Sequence, residues 1–255
     1  MTPRPAMAPR PASALDRLDG LGGVCRPSAL ADLRDELGDL AHTYAYLGMH
    51  PLGRPGPQVG LRWWEYAVMV RAVRVAVPAG GRILDVGAGG FRSPLTPTLA
   101  RLGFQVDALD VRAESVAEIC TQATALDIGD RVTAVQCDIG AYAPAVPYDA
   151  VLSLSVIEHV PDDRGAVRRM IAALRPGGLF AITFDVTVDG GPLVTPNNER
   201  MYTPAMIAEL LAWIREDGIT VAAHHGFEPR EANVYDAYTF GAVMGVKGES
   251  RRSDA

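Results

Sequence analysis

Apolar residues along the chain follow two different patterns, one before residue 78 and one after residue 81. In the first part they recur at the spacing of a helix face over about 28–47, which predicts a helix. A segment rich in proline and glycine over 49–60 predicts a loop, and a second helix is expected over 61–77. In the second part, short β-branched runs alternate with amphipathic segments, which is typical of an α/β fold.

The second pattern predicts seven strands joined by helices. Alternation of strands and helices with short connections favours parallel neighbours and right-handed crossovers. We therefore predict the α/β fold class, with a doubly wound, mostly parallel, Rossmann-like sheet. The strands are expected at 82–86, 105–110, 131–137, 148–154, 179–186, 219–224 and 238–246. The predicted organisation is a disordered arm over 1–12, a helical region over 13–78, the α/β domain over 79–248 and a flexible tail over 249–255.

Composition and charge narrow the classes of partner. The formal net charge of −6 does not favour binding to a nucleic-acid backbone. The 3 cysteines are scattered, which argues against a disulfide framework and a zinc site and fits a reducing compartment. No apolar run reaches the roughly 18 residues of a membrane span. We expect a cytoplasmic protein without nucleic-acid, membrane or metal partners.

A glycine-rich loop follows the first predicted strand. It reads Asp85-Val86-Gly87-Ala88-Gly89-Gly90-Phe91-Arg92, and glycines allow a backbone to turn sharply and approach a ligand. A dinucleotide-binding loop would have glycine where Arg92 stands, which disfavours a nicotinamide or flavin cofactor. The next helix is expected to begin late, because Ser93-Pro94 and Thr96-Pro97 both have the form of a cap followed by proline.

Carboxylates stand at the ends of the next two predicted strands. Asp110 follows the loop by about twenty residues, where a carboxylate can accept hydrogen bonds from ribose hydroxyls. Asp138 ends the third strand. In doubly wound sheets, ligands bind at the carboxyl ends of the strands, beside the point where strand order reverses. The sequence therefore predicts one ligand site formed by the loop and these carboxylates.

Five motifs together make the chain resemble the class I S-adenosylmethionine (SAM)-dependent methyltransferases over about residues 61–246. They are Ile83-Leu84-Asp85-Val86-Gly87-Ala88-Gly89, Leu109-Asp110-Val111, Cys137-Asp138-Ile139, Ser155-Val156-Ile157-Glu158-His159-Val160 and Leu174-Arg175-Pro176-Gly177-Gly178. The resemblance implies the methyltransferase fold and SAM as cofactor, with the amino-terminal helices forming a lid over the site. Gly90-Phe91 departs from the family's glycine pattern, which affects the expected shape of the loop.

The resemblance also implies roles for particular residues. The loop would face the methionine part of SAM with Asp85 orienting it, Asp110 would hold the ribose, and Asp138 would read adenine together with the backbone of the next residue. The far wall of the pocket would come from the end of the fourth strand. The complete set of implied cofactor residues is Asp85, Gly87, Ala88, Gly89, Asp110, Val111, Asp138, Ile139, Ser155 and Val156.

Methyl transfer needs few catalytic groups, because the methyl group of a sulfonium is already activated and the protein mainly aligns the acceptor and excludes water. A general base helps when the acceptor is a hydroxyl. His159 is a candidate base, although the family implies a scaffold role for it. Asp185 and Tyr202 are expected either to contact the acceptor or to support groups that do. His224 or His225 could face the mouth or lie in an exposed turn.

Aromatic residues are concentrated before the first strand, at Tyr44, Tyr46, Trp63, Trp64 and Tyr66. An aromatic face near the sulfonium would contribute about 0.5–2 kcal/mol by cation–π attraction. Most of the five are expected to pack in the core, while Tyr44 and Tyr46 are candidate catalytic residues of the lid. Such helices can also pair across a two-fold axis, which leaves a homodimer open.

Three functions are compatible with these residues. The first is a methyltransferase that acts on a small molecule. The second is an enzyme of the same fold that cyclises SAM to a small-ring amino acid of the azetidine or cyclopropane type and releases methylthioadenosine. The third is a non-catalytic protein that binds SAM. Product analysis after incubation with SAM alone distinguishes the second from the first.

Overall fold

The structure is a computed structural model that describes residues 13–22, 31–46, 57–89, 93–187, 200–224 and 238–249. The side chains of 44–46, 57–61 and 238 lie outside that description. Among the described residues, no helix combines the length and apolarity that crossing a membrane would require.

A single sheet of 7 strands forms the centre of the molecule, in the order β3-β2-β1-β4-β5-β7-β6. All neighbouring strands are parallel except that β7 runs antiparallel to both β5 and β6. The order reverses between β1 and β4, and open sheets of this kind bind ligands at the carboxyl ends of the strands beside such a reversal. The prediction of a doubly wound, mostly parallel sheet is confirmed. The strands are β1 Arg82–Val86, β2 Gln105–Asp110, β3 Val132–Gln136, β4 Tyr148–Leu154, β5 Leu174–Thr187, β6 Ile219–His224 and β7 Tyr238–Lys247.

Seven helices are described: α1 Ala14–Asp19, α2 Arg34–Tyr46, α3 Pro57–Ala76, α4 Leu95–Arg101, α5 Ala113–Ala125, α6 Asp163–Ala172 and α7 Pro204–Glu216. The sequence prediction did not include α1, which begins with a capping box between Ser13 and Asp16. The prediction of a loop over 49–60 was wrong at its end, because Pro57 opens α3. Proline is tolerated in a first helical turn, where its missing N–H would have no partner.

Helix α3 packs on the sheet and also against the other amino-terminal helices, of which α1 itself contacts β6 and β7. Helix α3 contacts β4, β5 and β7 as well as α1 and α2. Trp64 of α3 is fully buried in the same hydrophobic cluster as Ile83 of β1 and Met244 of β7. The opposite face of the sheet packs against α6 and α7 in a second cluster. The core therefore fills both sides of the sheet, and α3 forms part of one of its layers.

Two local predictions need correction. Strand β5 begins at Leu174, five residues earlier than expected, because Leu174 pairs with Tyr148 before the register shifts and pairing resumes at Leu179. The residues between them form a bulge. Thr96 does not cap α4, whose amino-terminal cap is Pro94. The hydroxyl of Thr96 donates instead to Asp85 of β1, at 2.6 Å.

Candidate functional site

The glycine loop after β1 needs glycine for reasons of space. Gly87 has φ +74°, and a Cβ there would lie 2.4 Å from Cγ2 of Val156. A Cβ on Gly89 would lie 2.1 Å from Cβ of Ser115 in α5. The loop is therefore packed between the turn after β4 and the start of α5, and neither glycine can gain a side chain without displacing a neighbour.

Hydrogen bonds hold this loop against the end of β2. The amides of Gly87 and Ala88 both donate to the carbonyl oxygen of Leu109, at 2.7 and 3.1 Å. The amide of Gly89 donates to Oδ2 of Asp110 at 3.1 Å, and the amide of Arg112 donates to Oδ1 at 2.9 Å. The carboxylate of Asp110 is thus fixed in orientation by two amides, and its remaining lone pairs are available to hydroxyl donors.

Asp85 lies beneath the loop, at 2% exposure. Burial raises the pKa of its carboxyl to about 6, with a further contribution from the nearby charge of Asp110, while the hydrogen bond from Thr96 opposes the rise. The hydrogen bond that Asp85 accepts from the hydroxyl of Thr96 fixes the start of α4 relative to β1. Asp85 therefore supports the loop from below, close to Asp110.

The ends of β2 and β3 present an apolar side chain beside polar groups. Val111 follows Asp110 and is 58% exposed, which makes it one of two large apolar side chains exposed among the described residues. Asp138 is exposed, and its Oδ1 accepts from the amide of Gly140 at 2.6 Å. Ile139 is buried beside it. An exposed valine next to polar acceptors provides a surface on which a flat ring can stack.

The chain leaves β4 in an unusual conformation at Ser155. Its φ is +46°, a value that non-glycine residues rarely adopt and that often marks a functional site. The Ser155 amide donates to the carbonyl oxygen and the hydroxyl of Thr183 on β5, at 3.1 and 3.2 Å. Val156 follows and covers Gly87. These bonds fix the turn that closes one side of the glycine loop.

Three buried carboxyl groups meet at the ends of β4 and β5, and we call them the acidic cluster: Glu65 of α3, Glu158 and Asp185. They are 1%, 2% and 3% exposed. Oε1 of Glu65 accepts from the hydroxyls of Ser155 and Thr183, both at 2.6 Å, and the Ser155 hydroxyl also lies 3.3 Å from Oδ1 of Asp185. Glu65 and its contacts were not predicted from the sequence.

Arg62 of α3 lies beside the acidic cluster and pairs with one of its carboxyl groups. Arg62, which is 38% exposed, approaches Oε2 of Glu65 at 3.0 Å. Burial alone would lower the pKa of Arg62, but the carboxyl groups of Glu65, Asp185 and Glu158 outweigh burial and raise it. Burial, and then the charge of Asp185, raise the pKa of Glu158 well above its usual range, and Glu65 adds to this rise while Arg62 opposes it.

The structure places one predicted catalytic candidate in the acidic cluster and another at the surface. Asp185 lies in the acidic cluster, whereas His159 is exposed in the short turn 157–159. Tyr44 and Tyr46 are in the last turn of α2, and their side chains lie outside the described residues. Tyr202 is fully buried, and its hydroxyl donates to Asp163 at 2.6 Å. Tyr202 therefore supports the chain before α7.

Two further candidates lie elsewhere. His224 ends β6, the outer strand beyond β7, so three strands separate it from β1. His225 lies outside the described residues, as do Gly90, Phe91 and Arg92. Among the residues that the structure describes, no group of three or more His, Cys, Asp or Glu side chains has the arrangement of a metal site.

Comparison with known proteins points to one family. Residues 84–180 match the family model described as a methyltransferase domain. The chain is 35% identical over 168 residues to a ubiquinone biosynthesis O-methyltransferase of Xanthomonas axonopodis pv. citri, covering 60% of this chain and 69% of the relative. It is 34% identical over 196 residues to the protein of the same name from Xanthomonas euvesicatoria pv. vesicatoria, covering 66% of this chain and 80% of the relative.

A solved structure supports the fold at lower identity. The glycopeptide N-methyltransferase MtfA complexed with SAM aligns with a TM-score of 0.54 at 21% identity, covering 72% of this chain and 93% of that one. At this identity the match is evidence for the fold alone.

Proposed function

Because the chain belongs to the class I SAM-dependent methyltransferase family, we propose that it transfers the methyl group of SAM to a small-molecule acceptor. Two relatives carry the name ubiquinone biosynthesis O-methyltransferase, which describes an enzyme of small-molecule biosynthesis. The observation that carries the proposal is the burial of the acceptor side. Ser155, Glu158 and Asp185 are 8%, 2% and 3% exposed at the ends of β4 and β5, where a small ligand fits more readily than a macromolecule.

The residues at the ends of β1, β2 and β3 fit SAM. A Cβ on Gly87 or Gly89 would fill the space in which the loop approaches its neighbours, and the loop backbone would face the methionine part. Asp110, held by two amides, would accept from the ribose hydroxyls. Val111 would stack on the adenine ring, with Asp138 and Ile139 at its edge. SAM supplies a methyl group on a positively charged sulfur.

The chain's own contribution is to position the acceptor and exclude water. Helix α3 contacts β4 and β5, and its Glu65 accepts hydrogen bonds from Ser155, which follows β4, and from Thr183 of β5. A site from which water is excluded strengthens the electrostatic interactions inside it. We place the acceptor beside Ser155 and Asp185. Because His159 is exposed, a role as base would require it to reach the acceptor from the solvent side.

Incubation of the purified protein with SAM tests the proposal, with products followed by mass spectrometry. SAM alone should stay unchanged, and S-adenosylhomocysteine should form when the low-molecular-mass filtrate of a metabolite extract is added. Activity confined to the macromolecular retentate would contradict a small-molecule acceptor. Methylthioadenosine from SAM alone would contradict methyl transfer and favour cyclisation, which no described residue favours at present. Activity should be lost in Asp110→Ala and retained in the exposed control Asp130→Ala.

A further inference from the structure

Helix α4 carries two buried threonines whose hydroxyls bond in different directions. Thr96 and Thr98 are each 1% exposed. The hydroxyl of Thr96 donates to Oδ2 of Asp85 in β1 at 2.6 Å. The hydroxyl of Thr98 donates to that of Thr43 in α2 at 2.9 Å. Residues two positions apart in a helix do not share a face, so one threonine joins α4 to the strand that leads into the glycine loop, and the other joins it to α2.

The carboxyl group of Asp85 has one oxygen that lacks a donor. Among the described residues, the donor to this group is the hydroxyl of Thr96, which bonds Oδ2 and leaves Oδ1 without one. Asp110, whose charge also acts on Asp85, is itself a carboxyl group and supplies no proton. Carboxylate oxygens in a protein interior usually accept at least one hydrogen bond. Oδ1 is therefore available to a donor that a ligand brings.

The place of Asp85 matches it to the methionine part of SAM. Asp85 lies in β1, which ends at Val86, and the glycine loop follows at Gly87. The methionine part carries an α-ammonium group, which has a positive charge and three N–H donors. Hydrogen bonds between charged groups are among the stronger ones in proteins. Burial raises the pKa of Asp85, and the bond from Thr96 lowers it, which favours the charged form that an ammonium group binds.

We propose that Thr96 is a positioning residue for the cofactor, which orients Asp85 so that Oδ1 accepts a hydrogen bond from the α-ammonium group of SAM. This inference rests on the proposed function and adds a residue to its cofactor site. The last torsion of an aspartate side chain is only broadly restricted. A hydrogen bond to one oxygen therefore decides where the other oxygen points, and the 2.6 Å bond from Thr96 has that effect on Asp85.

Two ligands separate this role from a purely structural one. S-adenosylhomocysteine contains the amino-acid part, whereas methylthioadenosine contains the same nucleoside without it. Titration calorimetry at pH 7.5 measures both affinities, with methylthioadenosine added up to millimolar concentration. Thr96→Val should weaken binding of S-adenosylhomocysteine at least tenfold and leave binding of methylthioadenosine within twofold. Thr96→Ser keeps the hydroxyl and should stay within threefold of the wild type for both ligands. Equal weakening of the two ligands by Thr96→Val, or no weakening of either, would overturn the proposal.

Thr98 provides a matched control within the same helix. Thr98→Val removes a hydroxyl of equal burial whose partner is Thr43 and not Asp85. It should leave the affinity for S-adenosylhomocysteine within twofold of that of the wild type. A loss as large as that of Thr96→Val would show that the packing of α4 sets the affinity, and the proposal would fail. Thr96→Ala replaces Thr96→Val if the latter does not fold.

A double-variant cycle tests whether Thr96 acts through Asp85. In the Asp85→Ala background, Thr96→Val should change the affinity for S-adenosylhomocysteine less than twofold, because the carboxyl group that it orients is gone. A tenfold loss that persists in this background would contradict the proposal. Failure of the wild-type protein to bind S-adenosylhomocysteine would instead refute the proposed function, so the two failures are distinguishable.

Discussion

Substitution of Gly87 by alanine tests the steric account of the loop, because the chain contains a matched control. Gly80 and Gly87 have nearly the same backbone angle, with φ +73° and +74°. A Cβ on Gly80 meets nothing within 4 Å, whereas a Cβ on Gly87 lies 2.4 Å from Cγ2 of Val156. Left-handed backbone strain costs both variants about 1–2 kcal/mol, and overpacking against Val156 costs Gly87→Ala a further 1–3 kcal/mol or so.

Urea unfolding of the two variants measures the difference directly. Gly87→Ala should lose about 2–5 kcal/mol of unfolding free energy, and Gly80→Ala about 1–2 kcal/mol. The double variant Gly87→Ala/Val156→Ala should recover part of the loss, because the second change removes the colliding methyl groups. Equal losses in the two single variants, or no recovery in the double variant, would refute the reasoning. Binding of S-adenosylhomocysteine should weaken in Gly87→Ala only.

Three other predictions concern single residues. Val111→Ala should weaken binding of S-adenosylhomocysteine about tenfold by calorimetry and change the unfolding free energy by less than about 0.5 kcal/mol, because Val111 is exposed. Folding raises the pKa of Asp85 from 3.8 to about 6, so the contribution of its protonated form to stability is present below pH 4 and is lost as the pH rises through 6. The unfolding free energy of Asp85→Asn, measured with urea, should therefore rise by about 3 kcal/mol relative to that of the wild type between pH 4 and pH 7. Lys247→Met should cost about 1–2 kcal/mol in the same assay, because the ammonium donates to carbonyl oxygens at the end of α6 and at the start of β5 at 2.7–3.4 Å. A loss of S-adenosylhomocysteine affinity in Lys247→Met would contradict this local role.

The sequence predicted the sheet well because each strand is a short apolar run between glycines and polar residues. Strand β4 was predicted with its observed bounds, Tyr148–Leu154, and the carboxylate Asp110 with its place at the end of β2. The start of β5 was missed, because pairing of Leu174 with Tyr148 across a bulge depends on contacts that no local pattern contains. The start of α3 was missed because Pro57 was interpreted as a loop residue when it opens a helix.

The acidic cluster was the largest omission, and its cause is distance along the chain. Glu65 is 90 residues from Ser155 and 118 residues from Thr183, and helical periodicity gives no sign of such contacts. A glutamate between Trp64 and Tyr66 is locally indistinguishable from a solvent-facing residue. The sequence held one indication that Glu65 is buried. The residues that follow it closely, Ala67 to Val70, are all apolar and indicate a helix that is buried on several sides.

The same contacts bear on the role of the amino-terminal helices. The sequence suggested a lid that lies over a site built by the α/β domain, but Glu65 is the acceptor for the hydroxyls of both Ser155 and Thr183. Without α3, these two hydroxyls would lose a buried charged acceptor, at about 1.5–3 kcal/mol each. The turn at Ser155, with its unfavourable φ of +46°, would also lose one of the bonds that fix it. We therefore expect α3 to form one wall of the acceptor site, so that the fold of the amino-terminal region and the chemistry at the end of β4 depend on each other.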